Sequence, residues 1–208
     1  MKRKLAVLVW IMGMGLQIGS IGMAWAEQVA TGNTESVSPA SESSDYQRQL
    51  QHHESPEVTL VDQFGQQVDL RKILSGERPV MVNFIFTSCP TICPILTSSF
   101  ARVQKQLSAS DLLVPRMVSI SIDPGFDTSD KLLDYSRRYH AGSDWYFLTG
   151  RPEAILKVQQ AFNAYRGEKM NHVPVIFIRG SAKNPWVRLT GYPTVAELLS
   201  EYQASVAP

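Results

Sequence analysis

NFIFTSCPTICPILTSSF, residues Asn83–Phe100, governs how the rest of the chain is read. It holds both cysteines of the protein, Cys89 and Cys93, where an apolar, strand-like run gives way to a helix-like one. The first turn of a helix leaves backbone N–H groups unpaired, and its dipole favours a nearby negative charge. A cysteine placed there can titrate below a free thiol, and the thiolate is both nucleophile and metal ligand. Pro90 and Pro94 suit the junction, because proline is tolerated where a helix has not begun to use its N–H groups.

The CxxxC spacing helps to separate two chemistries. Fully helical cysteines at i and i+4 hold their Cβ atoms roughly 5–6 Å apart, whereas a disulfide needs about 3.5–4.5 Å. Two thiolates on one metal, each bonded at about 2.3 Å as for zinc, tolerate the wider spacing. The spacing leans toward chelation, while a loop conformation at Cys89 still lets the pair oxidise. A purely structural disulfide is the weaker reading, since closing so short a loop constrains the unfolded chain little.

Working outward, Pro79–Phe86 is a nearly continuous apolar run, as for a central strand buried on both faces. Val58–Leu70 reads as a hairpin with Gly65 in its turn. Beyond the cysteines, Leu96, Phe100, Val103 and Leu107 form one helical stripe. Leu113–Ile122 is a strand broken by Asp123-Pro124, and Asp127, Thr128 and Ser129 offer caps for a helix bearing Leu132, Tyr135 and Tyr139. Asp127 reads most simply as such a cap. Trp145–Leu148 is a short strand, followed by a helix from Pro152. Pro174–Ile178 and Trp186–Leu189 pair about a turn at Ser181–Pro185, and Thr194 caps a last helix. Strands alternating with helices and closing in a hairpin and a helix predict an α/β, thioredoxin-like three-layer sandwich with a mixed central sheet and an added N-terminal β-hairpin, over residues 57–208.

The N-terminus carries an address. Lys2, Arg3 and Lys4 precede an apolar stretch from Leu5 to Met23, and Ala24-Trp25-Ala26 fits an A-x-A cleavage site. Residues 1–26 are therefore expected to be a signal peptide, with a periplasmic destination, or an inner-membrane anchor if uncleaved. Membrane contact is expected only in the uncleaved case. Residues 27–56, rich in Ser, Glu, Gln, Thr and Asn, read as a disordered linker with a reach of roughly 30 Å, and His52-His53 at its end as solvated. Without residues 1–26 the chain holds 17 Lys+Arg against 19 Asp+Glu, a balance that argues against a nucleic-acid partner. Cysteines in an oxidising compartment drift toward the disulfide, so a working dithiol calls for a periplasmic thiol reductase.

Two histidines lie beyond the linker. His140 closes a helix after Arg137-Arg138-Tyr139, where a cation favours the dipole, and reads as structural. His172 lies in Met170-Asn-His-Val-Pro174, immediately before a strand. In a thioredoxin-like fold that loop lies beside the cysteine turn, so His172 is a candidate third ligand. Two thiolates and an imidazole make a soft, low-coordinate site suited to copper.

Phe86-Thr-Ser-Cys-Pro-Thr-Ile-Cys-Pro94, Ser121-Ile-Asp-Pro-Gly-Phe-Asp-Thr128, Trp145-Tyr-Phe-Leu-Thr-Gly150 and His172 before a strand together resemble the Sco/SenC family, over roughly residues 57–204. The resemblance implies copper held by Cys89, Cys93 and His172. It also implies a role toward the dinuclear copper site of cytochrome c oxidase, with that site's subunit as partner, either delivering copper or reducing its cysteines. The alternative is a periplasmic thiol–disulfide oxidoreductase without copper cargo, in which Cys89 and Cys93 are the catalytic redox pair. Two features favour it: the short stretch from Phe162 to His172, and Val173-Pro174, which is similar to the cis-proline step of thioredoxins. A thiol peroxidase would carry threonine three residues before its cysteine, where Phe86 and Pro90 stand.

Overall fold

The computed structural model describes residues 45–207. In chain order these form β1 (Tyr46–Gln51), β2 (Thr59–Val61), β3 (Gln67–Asp69), α1 (Leu70–Leu74), β4 (Val80–Ile85), α2 (Ile92–Ser108) and β5 (Arg116–Ser121). There follow α3 (Ser129–Arg138), β6 (Trp145–Leu148), α4 (Pro152–Ala161), a 3-10 turn at Lys169–Asn171, β7 (Val175–Arg179), β8 (Trp186–Gly191) and α5 (Val195–Val206).

Six strands form one mixed sheet in the order β1-β8-β7-β4-β5-β6. β4, β5 and β6 run parallel; β7 is antiparallel to β4, and β8 and β1 continue antiparallel beyond it. Alternate side chains of a strand point to opposite faces, so β4, buried at every position, feeds two cores. Met81 and Ile85 join Leu96, Phe100, Tyr135, Trp145 and Leu198 on one face. Val80, Val82 and Phe84 join Leu70, Ile155, Phe162, Phe177 and Trp186 on the other. These are the three layers expected from the sequence. The expected hairpin is present too: β2 pairs with β3 around Gly65, whose φ of 77° suits glycine in the turn.

Regular structure is present before residue 57. Tyr46–Gln51 is an edge strand on β8, in register from Tyr46 opposite Gly191 to Gln51 opposite Trp186. The linker expectation fails there because an exposed edge strand needs no apolar alternation: its backbone pairing supplies the order, and Arg48 and Tyr46 bond Glu201 of α5. His53 is likewise not a solvated residue. Its ring stacks on Trp186 (5.6 Å between centroids, 2° apart) and meets Phe162 edge-on at 4.6 Å. Burial, then Arg179 and Arg188, lower its pKa to about 4. The signal-peptide segment lies outside the described residues, and among those residues no helix is long and apolar enough to cross a membrane.

Candidate metal and thiol site

β4 ends at Ile85, and the chain turns through Phe86–Thr91 into α2. Cys89 closes this turn, its N–H donating to the Phe86 carbonyl at 3.1 Å. Cys93 is the second residue of the helix. The helix receives no side-chain cap from Thr91; the Cys89 sulfur fills that place, accepting from the Cys93 N–H at 3.4 Å. The Cys93 sulfur in turn accepts from the Phe86 N–H at 3.4 Å. Both cysteines are free thiols, so a helical Cys93 follows a non-helical Cys89, the mixed geometry in which the sulfurs can either share a metal or join.

The thiols are not equally poised. Cys93 is fully buried and Cys89 is 9% exposed. Burial pushes the Cys93 thiol well above its ordinary pKa, against the smaller stabilising effect of the Phe86 N–H, with Cys89 and Asp127 adding to the rise. The helix-terminus argument that would lower it is outweighed at Cys93 by desolvation.

Asp127 is the residue whose part was misjudged from sequence. Thr128 caps α3, accepting from the Lys131 N–H. Asp127 is fully buried instead and clamps the cysteine turn: it accepts from the Thr87 N–H, the Thr87 hydroxyl and the Ser121 hydroxyl. Asp127 and Thr87 lie 40 residues apart, a separation no local pattern reveals; the spacing of the Ser121–Thr128 motif was the available signal.

His172 follows the 3-10 turn and is 5% exposed. Its Nε2 lies 3.2 Å from the Phe84 carbonyl oxygen. A carbonyl only accepts, so Nε2 carries the proton and Nδ1 keeps its lone pair, with no hydrogen-bond partner. Burial lowers the imidazole pKa to about 4, opposed by the Phe84 bond, so the ring is neutral near pH 7. The Ile85 carbonyl faces β5, accepting from Ile122, so Phe84 and Phe86 present their groups to the other edge of the chain. His172 and Cys93 are therefore anchored two residues apart along one edge. Even so, among the described residues no three His, Cys, Asp or Glu side chains stand together closely enough to hold a metal ion. His140 lies elsewhere, just past α3 in a left-handed conformation (φ 52°) with its carbonyl held by Gln104.

Comparison with known proteins adds to this geometry. The family model described as SCO1/SenC matches residues 46–201. A SCO1 protein homolog of Bacillus subtilis (strain 168) is 38% identical over 107 residues, 51% of this chain and 54% of that protein. The chain thus spans about half the length of that curated relative. Among solved structures, Arabidopsis thaliana ScoI with copper bound superposes with a TM-score of 0.62 at 23% identity, over 74% of this chain and 98% of that one. BsSco, described as a member of the Sco family of cytochrome c oxidase assembly proteins with a disulfide switch, gives 0.64 at 24% identity, over 76% and 96%. Identities this low establish the thioredoxin-like fold.

Proposed function

The chain belongs to the SCO1/SenC family, and from that premise we propose that it is a periplasmic copper-binding protein serving the dinuclear copper site of cytochrome c oxidase. Copper is its cargo, and Cys89, Cys93 and His172 are its ligands. The observation that carries this reading is the donor set: two free thiols on one helix-entry turn, and a neutral imidazole, anchored on the end of the strand that leads into it, whose Nδ1 lone pair is unpartnered. Sulfur and imidazole donors match Cu(I). The Phe84 carbonyl supplies the outer hydrogen bond that fixes the tautomer of a ligating histidine. Copper bound in a solved Arabidopsis relative and the N-terminal address in the sequence support cargo and location.

Binding is coupled to protons. Each cysteine gives up one proton as its sulfur takes the metal, and neutral His172 gives up none. Because burial raises the Cys93 thiol, copper affinity increases as pH rises. A titration of the reduced chain with Cu(I) tests the reading. One tight equivalent, weakened in both His172→Ala and Cys93→Ala, is expected; affinity indifferent to His172 overturns the three-ligand site.

A second reading, a thiol–disulfide oxidoreductase acting on that site's cysteines, is favoured by the separation of His172 from the thiols. In it Cys89, the more exposed sulfur, attacks a target disulfide. Cys93 then displaces the target thiol, so one disulfide is reduced as Cys89–Cys93 forms. Reduction of a model disulfide with negligible copper binding selects this reading.

A further inference from the structure

The turn that carries His172 is tied down by a residue with no part in the ligand set. Lys169 opens the 3-10 turn, and the His172 N–H donates to the Lys169 carbonyl at 3.1 Å, so the two residues move as one unit. The Lys169 ammonium pairs with the Asp123 carboxylate and lies 5.6 Å above the Phe86 ring. Asp123 is itself fixed. Its N–H donates to the Ser121 hydroxyl at 3.0 Å, the Ser121 hydroxyl donates to Asp127, and Asp127 holds Thr87 of the cysteine turn. One continuous polar chain, Lys169–Asp123–Ser121–Asp127–Thr87, therefore joins the histidine turn to the cysteine turn.

With this chain intact, His172 is bonded to Phe84 and stands apart from the thiols. The segment leading to it borders a cavity of about 250 Å³ lined by Ile122, Pro124, Ile155, Arg166, Lys169 and His172. A turn bordering such a space has room to shift once its tether is loosened.

We propose that Lys169 and Asp123 form a latch that holds the His172 turn in its Phe84-bound position and so tunes, as positioning residues, how readily His172 joins Cys89 and Cys93. The inference rests on the copper-site reading for its consequence and not for its existence. A site populated only in part binds with an affinity reduced by that fraction. A partly exposed ion pair is worth a factor of roughly two to five in such an equilibrium. Removing the latch therefore tightens Cu(I) binding by about that factor, and salt, which screens the pair, does the same to the wild type but not to the variant.

The test uses the reduced full chain as wild type, Lys169→Met, Asp123→Asn and, as the conservative control, Lys169→Arg. In the metal-free protein, solvent exchange of the His172 ring Nε2–H, the proton held by the Phe84 carbonyl, is followed by NMR. It is expected to quicken roughly two- to fivefold in Lys169→Met and Asp123→Asn and to stay at the wild-type rate in Lys169→Arg. Unchanged exchange in the first two variants overturns the latch, whatever copper does. Cu(I) affinity measured at low and high salt gives the second arm: tighter, salt-indifferent binding in the two variants supports the tuning role, and weaker or unchanged binding overturns it. A wild type that binds no Cu(I) removes the copper reading alone, and the exchange arm still decides the latch.

Discussion

Asp127 shows how much one side chain can settle. Its carboxylate, fully buried itself, is the common acceptor for the Thr87 backbone, the Thr87 hydroxyl and the Ser121 hydroxyl. Truncation strands these donors, and unsatisfied buried groups cost about 1–3 kcal/mol. Asp127→Ala is expected to lower the unfolding free energy from a urea titration by that amount and to loosen Cys89 and Cys93, with weaker copper binding alongside. A loss of stability with the copper affinity untouched would show that the clamp serves the fold only. The placement of Cys89 and Cys93 at a strand-to-helix turn, and of His172 just before a strand, was legible in the sequence. The roles of Lys169 and Asp123 were not, because an ion pair between residues 46 apart leaves no local trace. His53 was misread for the same reason: its polar neighbours suggested a solvated linker, while its partners Phe162 and Trp186 lie more than a hundred residues away along the chain.

Elements were legible where periodicity was long and missed where they were short or exposed. The stripe of α2, the apolar run of β4 and the cap of α5 all lie where hydrophobic spacing placed them; Thr194 and Glu197 close a full capping box. β1, with four exposed residues in its interior, and the five-residue α1 carried no such signal. Packing between elements is close where α5 meets the β7–β8 turn. A Cβ built on Gly180 would lie 1.9 Å from the Ser205 carbonyl oxygen. Gly180→Ala must push the helix end away, at a cost of about 1–3 kcal/mol for an overpacked contact. Thermal unfolding measures it, and a variant as stable as wild type would mean that α5 is free to slide.

Over the whole molecule, two cores meet at one sheet, with the thiols in one core and the His172 ring against a cavity bordered by the other. His53 and His172 both have pKa values lowered from 6.5 to about 4. The unfolded chain therefore takes up their protons first, and stability contributed by the neutral rings is complete above about pH 6.5 and lost as pH falls toward about 4. Denaturant titrations across that window are expected to show falling stability, less steeply in His53→Phe; equal slopes would place the acid response elsewhere.

Arg188 of β8 carries a different kind of consequence. Its guanidinium is buried and grips the carbonyls of Phe162 and Asn163, where the segment leading to His172 begins. Carbonyls belong to every residue type, so this anchor is indifferent to the side chains that follow it. Residues 164–168 thus form a short cassette between a fixed hinge and the histidine turn, with Ala164 buried in the core and Gly167 at a φ of 76°. The reach of His172 toward the thiols can be re-engineered by the length of that cassette while the framework on either side keeps its sequence.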